Sequence, residues 1–192
     1  MSKNTKIILG IVIGLLVVCV CGGVATFGAL TWFGVTVGQQ FEPNPEKVAQ
    51  IASKIADFKL PPGYTTEYGI EVADFALASY SPGDDHSHIM FIQMPPDSKV
   101  DQVTLERQMT QVTQPRSSKR PTKLTMVGAS QVTVRGQSVK FVISEGTNSE
   151  GQAYRQMRGM FQGKGGLVLL TVEEPTSRWN QATVDAFIAS IR

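Results

Sequence analysis

From Ile7 to Phe33 the chain runs for 27 residues without a charge, and 20 of them are hydrophobic. As a helix such a run is about 40 Å long, against about 30 Å of bilayer hydrocarbon. It is therefore expected to cross a membrane as a transmembrane helix, tilted or with its ends among the headgroups. The rival is a cleaved secretory signal, whose apolar region is about 7 to 15 residues long and ends at a small-x-small site. This run is about twice that length. Its small-residue options, Ala25-Thr26-Phe27 and Phe27-Gly28-Ala29, lie deep inside it. Lys3 and Lys6 precede the run and the first charge after it is Glu42. Cationic flanks stay in the cytoplasm, which puts residues 1–6 inside and the C-terminal domain outside, in the periplasm or at the cell surface. Trp32 and Phe33 suit the outer interface.

This segment changes the meaning of the average composition. A mean hydropathy of -0.03 over 192 residues would describe an ordinary soluble chain, but here it sums a greasy run and a polar domain. Both cysteines, Cys19 and Cys21, fall inside the run, so the outer part has no disulfide framework. Valines precede both and apolar sequence follows them, unlike a lipidation site; they read as small apolar residues. Gly10-x-x-x-Gly14 offers a close helix–helix contact and hence a possible homodimer. With Lys3 and Lys6 set aside, 16 bases meet 16 acids. That neutrality gives no reason to expect nucleic acid as a partner.

Residues 34–44 read as a juxtamembrane linker. Asn44-Pro45-Glu46 then has the signature of a helix start. Val48, Ile51, Ala52, Ile55 and Phe58 follow at spacings of three and four, which predicts an amphipathic helix over 45–59 that packs on the following domain or lies on the membrane. Pro61-Pro62-Gly63 ends it. In the domain over 60–192, residues 70–80 read as a strand or bent strand pair, and 89–94 as a strand. A helix is expected over 101–114, with Leu105, Met109 and Val112 on one face, and a polar loop over 114–123. Strands are expected near 124–134, 138–145, 153–162 and 166–173. Short glycine-bearing separators make these an antiparallel meander. Val184, Phe187, Ile188 and Ile191 mark a terminal helix. The expected class is α+β: a transmembrane helix, then an antiparallel sheet covered by amphipathic helices.

Residues 57–64, DFKLPPGY, resemble the LP-x-G-aromatic opening of PsbP-like and DcrB-like domains. The ending Phe187-Ile188-Ala189-Ser190-Ile191 resembles their closing helix. The resemblance covers roughly 58–192 and is architectural. It implies an α/β/α or α+β sandwich around an antiparallel sheet and a mostly non-catalytic role, as an assembly factor, an extrinsic subunit of a membrane complex or an envelope protein. The N-terminal span departs from the soluble members, and no catalytic residues transfer.

Three constellations are candidates for chemistry. Asp84, Asp85, His86 and His88 gather two carboxylates and both histidines of the chain in five residues. Those side chains suit zinc, copper or nickel, and in a strand His86 and His88 would share a side. The plain alternative is a solvated hairpin tip after Pro82-Gly83. Arg116, Lys119, Arg120 and Lys123 form a basic loop able to meet anionic headgroups or an acidic partner. The glycines around 159–166 lack the order of a phosphate-binding loop and read as a hairpin turn. The outer domain has no Cys and no Gly-x-Ser-x-Gly elbow, so nucleophilic catalysis finds no footing. Glu173 and Glu174 are neighbours that a strand would point apart. The sequence thus predicts a membrane-anchored module, bound to the bilayer through Ile7–Phe33, that binds a protein partner in the envelope without a cofactor. A metal-binding envelope protein is the alternative and a hydrolase the third reading.

Overall fold

The computed structural model describes residues 44–84, 86–96 and 121–192, all within the unit Glu42–Arg192. Helix α1 spans Pro45–Ile55. The Asn44 side-chain oxygen accepts from the backbone N–H of Glu46 at 3.0 Å and of Lys47 at 3.3 Å. This satisfies two of the donors that a helix start leaves unpaired, and Pro45 sits where no donor is needed. Val48, Ile51, Ala52 and Ile55 are its buried residues. The helix expected to reach residue 59 ends at Ile55, because Ala56 is already extended and Phe58 leaves for an aromatic cluster.

Seven strands follow: β1 Thr65–Val72, β2 Phe75–Ser81, β3 His88–Gln93, β4 Pro121–Val134, β5 Gln137–Asn148, β6 Ala153–Gln162 and β7 Leu167–Pro175. They form one sheet in the order β1-β2-β3-β7-β6-β5-β4, and every pairing is antiparallel. The segment read as a strand or bent pair over 70–80 is a hairpin. It turns at Ala73 and Asp74, with Ala73 at a φ of 51°. The β4–β5 turn also has two residues, Arg135 and Gly136, at φ of 52° and 77°. Positive φ at both central residues matches the twist of the flanking strands.

The sheet is two meanders joined side by side. β1-β2-β3 meets β4-β5-β6-β7 along the β3–β7 pair, from His88↔Glu173 to Gln93↔Val168. β7 is therefore interior, and its sequence LVLLTVEEP shows it: a nearly continuous apolar run, buried from Val168 to Glu173. Strands covered on both faces lose the apolar–polar alternation of a half-exposed strand.

Both helices lie on one face. α2, Gln181–Ala189, starts at Asn180, whose side chain accepts from the Thr183 N–H at 3.1 Å. Phe58 stacks on Phe91 with ring centres 4.4 Å apart, and its edge contacts reach Tyr80 and Phe187. This cluster links α2, the chain after α1 and strands β2 and β3. The two ends of the domain also meet: Asp57 and Arg192 exchange backbone hydrogen bonds of 3.0 and 2.8 Å. The tip of the β6–β7 hairpin clasps the end of α1, where the Lys164 N–H donates to the Ile55 carbonyl at 2.9 Å and Nζ to Ser53 O and Asp57 Oδ1. A cation there suits the negative end of the helix dipole.

The expected α+β class is overturned. Among the described residues the fold is largely β: strands of 6 to 14 residues make a seven-stranded antiparallel sheet, and the helices have 11 and 9 residues. The expectation counted two further helices, over 7–33 and 101–114, and both lie outside the described residues. No helix among the described residues is long and apolar enough to cross a membrane.

A methyl group built at Gly159 would lie 2.4 Å from the Phe141 ring. Gly159→Ala is expected to lose about 1–3 kcal/mol by overpacking. Phe91→Ala, which empties the centre of the aromatic cluster, should lose about 3–5 kcal/mol. Chemical denaturation of the full-length protein in detergent tests both; an unchanged midpoint for either would contradict this packing.

Candidate functional site

Buried polar side chains, among them Ser81, Ser87, His88, Gln156 and Glu173, gather at one end of the sheet, where β7 finishes and the 82–88 loop enters β3. The loop is shaped by its own residues. Gly83 adopts a φ of 85°, and its N–H donates to Ser81 Oγ at 3.1 Å. Asp84 Oδ1 accepts from the N–H groups of His86 and Ser87 at 3.0 and 3.1 Å, an Asx turn that makes up for missing backbone partners.

Three contacts then pin the loop to the sheet. Asp84 Oδ2 pairs with Arg178, in the turn after β7. His86 Nδ1 lies 2.9 Å from the hydroxyl of the fully buried Tyr154 at the start of β6. His88 Nδ1 stands 3.5 Å from Glu173 Oε1, its cross-strand partner, with both residues buried. The other oxygen of Glu173 accepts from Gln156 Nε2 at 2.5 Å. A carboxylate buried in this way needs such partners, since taking a charge out of water is costly. Arg158, one strand over on the same face, has its pKa lowered by burial, with Glu173 pulling the other way.

The neighbouring Glu174 points to the opposite face, the helix side. The Tyr64 hydroxyl donates to its Oε1 at 2.5 Å. Burial pushes the Glu174 carboxyl above the usual carboxylate range and the Tyr64 bond pulls it partly back. Burial and this carboxylate both push the Tyr64 phenol well above its ordinary value. Burial alone raises Tyr80 to about 12. Arg155, opposite Glu174 on β6, is engaged elsewhere: it pairs with Glu145 and lies 5.8 Å from the centre of the Trp179 ring.

Of the residues singled out from the sequence, the structure brings Asp84, His86 and His88 to one loop but turns each to a different protein partner. Asp85 lies outside the described residues, as do Gly10, Gly14, Arg116, Lys119 and Arg120; Lys123 lies on β4. Among the described residues no group of three or more His, Cys, Asp or Glu is arranged to hold a metal ion. The Nδ1 atoms of His86 and His88 are turned to Tyr154 and Glu173 and not to each other. Sequence reasoning passed over Tyr154, Gln156 and Arg178, saw Tyr64 only as part of the DFKLPPGY segment, and weighed Glu173 and Glu174 only against each other. One signal was there to be read: two adjacent acids at the end of the apolar run LVLLTV. The glycines around 159–166 serve the β6–β7 pairing and its turn, and no phosphate cradle forms. The chain matches no protein-family model and no curated protein.

Two predictions follow from this geometry. Titration of the full-length protein in detergent with zinc should release no heat; heat that vanishes in a His86→Ala, His88→Ala variant would overturn this. Glu174 keeps its proton to higher pH in the fold than in the unfolded chain, whose carboxylate titrates near about 4.3. Its contribution to stability is therefore complete below that pH and is lost as pH rises through the raised value. Thermal midpoints measured across this range should fall less steeply with pH in Glu174→Gln than in the parent; parallel slopes would contradict it.

Proposed function

We propose that this protein is a single-pass membrane protein, anchored through Ile7–Phe33 with its N-terminus in the cytoplasm, whose extracytoplasmic domain binds a protein partner in the cell envelope as a subunit or assembly factor. The observation that carries this reading is the pinned 82–88 loop. Of its described residues, Asp84 caps the His86 and Ser87 N–H groups and pairs with Arg178, His86 meets Tyr154 and His88 meets Glu173. A loop ordered before a partner arrives loses little conformational freedom on binding, which is what a recognition surface requires. The polar groups around it are used to hold it, and each histidine faces a partner other than a serine or threonine nucleophile. The resemblance of residues 57–64 and 187–191 to PsbP-like and DcrB-like domains adds support, since those are mostly non-catalytic.

Mild cross-linking of the full-length protein in membranes, then solubilisation and capture, should recover a reproducible partner. Asp84→Asn keeps an oxygen for the Asx turn but removes the charge paired with Arg178. It is expected to lower capture several-fold while leaving the thermal midpoint nearly unchanged. Recovery of the protein alone, or capture indifferent to this substitution, would count against the proposal.

A further inference from the structure

The edges of the sheet are β1 and β4, and they are protected unequally. An open edge presents unpaired N–H and C=O groups, and charges, bulges or covering elements keep other strands away from it. β1 has all three. It carries Glu67 and Glu71, its register shifts between Thr66 and Tyr68, and α1 packs on it with Lys54 reaching Glu71 at 2.6 Å. β4 is the longest strand, at 14 residues, and residues 124–134 carry no charge. Its register shifts lie toward its start, and over 128–134 its pairing with β5 is unbroken.

The Arg135-Gly136 turn decides which groups of β4 face outward. A two-residue turn with positive φ at both positions makes Val134 and Gln137 a hydrogen-bonded pair. Val132, Ser130 and Gly128 then bond β5, while Ala129, Gln131 and Thr133 turn their N–H and C=O groups to the open edge. These three residues are exposed, and among the described residues no strand pairs with them. Further along the same strand Met126 is 57% and Val127 54% exposed, two of the three large exposed hydrophobic residues among those described.

We propose that residues 129–133 pair antiparallel with the same residues of a second copy of this chain, about a two-fold axis at Gln131. In a two-fold contact one strand serves both sides, so a charge near the axis meets its own copy, and like charges placed opposite are destabilising. A strand from another protein makes no such demand, and complementary charges would suit it better. The neutrality of residues 124–134 therefore selects a second copy. The strand also fits itself. Ala129 comes opposite Thr133 of the second copy and Ser130 opposite Val132. Val127 comes beside Arg135 of the second copy, whose aliphatic stem can cover it. The two Arg135 side chains are rooted about 27 Å apart, and the two copies of Lys140, which lies opposite Gln131 on β5, about 14 Å apart. Both separations exceed a Debye length of about 8 Å. Copies anchored in one membrane meet at raised effective concentration, an argument that rests on reading Ile7–Phe33 as the anchor. The edge lies four strands from β3, so the pairing is independent of the 82–88 loop.

The test uses the full-length protein with Cys19→Ala and Cys21→Ala, in phosphatidylcholine vesicles under mild oxidation. Opposite residues of a hydrogen-bonded antiparallel pair have Cα atoms about 5.5 Å apart, within disulfide reach. Gln131→Cys is expected to cross-link to its own copy, and a mixture of Ala129→Cys with Thr133→Cys to give a mixed disulfide. Ala129→Cys alone, about 14 Å from its copy, and Val72→Cys, on the β1 edge, should stay uncross-linked. Gln131→Lys sets two cations face to face and should lower the yield of the mixed disulfide several-fold. No cross-link at 131, equal cross-linking at 72 and 131, or a mixed-disulfide yield indifferent to Gln131→Lys would each overturn the proposal. A benzophenone attached to Gln131→Cys in native membranes that joins the chain to another protein and never to itself would overturn it in favour of a foreign strand. Failure to float with the vesicles would reject the anchor instead; the same cross-links in solution then decide the pairing by themselves.

Discussion

The structure depends on the pairing of β3 with β7. Without it the chain offers two separate antiparallel meanders, each with an open edge at the centre of what is now one sheet. β7 comes last of the strands and closes that gap, bonded to β3 on one side and β6 on the other. The pairing joins residues some eighty positions apart, so it gains nothing until a large loop has been closed. What repays this is burial. Phe91 faces Leu170 and Ile89 faces Val172 across the pair, in the layer covered by α1, α2 and the Phe58 cluster.

The same strand sets the chemistry of the domain. β7 carries Glu173 to one face and Glu174 to the other, and each is held by a residue distant in sequence: His88 and Gln156, or Tyr64. The 82–88 loop leads directly into β3, so the register that aligns His88 with Glu173 also places His86 against Tyr154 and Asp84 against Arg178. Packing of the sheet and shape of the candidate recognition loop are one arrangement.

Local patterns in the chain foretold its local elements. Asn44-Pro45 announced α1, Val184, Phe187 and Ile188 announced α2, and glycine-bearing separators announced the later hairpins. The turn between β1 and β2 was obscure because Ala73-Asp74 contains neither glycine nor proline, although Ala73 takes a positive φ. The start of β1 was missed because Thr65 to Gly69 shows no apolar alternation. The α+β expectation gave helices and sheet equal weight, whereas among the described residues a seven-stranded sheet dominates two short helices. The adjacency of Glu173 and Glu174 on a strand foretells that they face opposite ways, but their separate partners are not legible because no local pattern encodes a contact across the sheet.

The claim that β7 holds the two meanders together is most directly tested by native-state hydrogen exchange of the full-length protein in detergent. The amides of β3, β6 and β7 should exchange as one unit, at the slowest rate in the domain and with the free energy of global unfolding. Exchange of β3 well before β6 and β7, with β4 to β7 still protected, would show that the β3–β7 pair is not the bond on which the sheet depends.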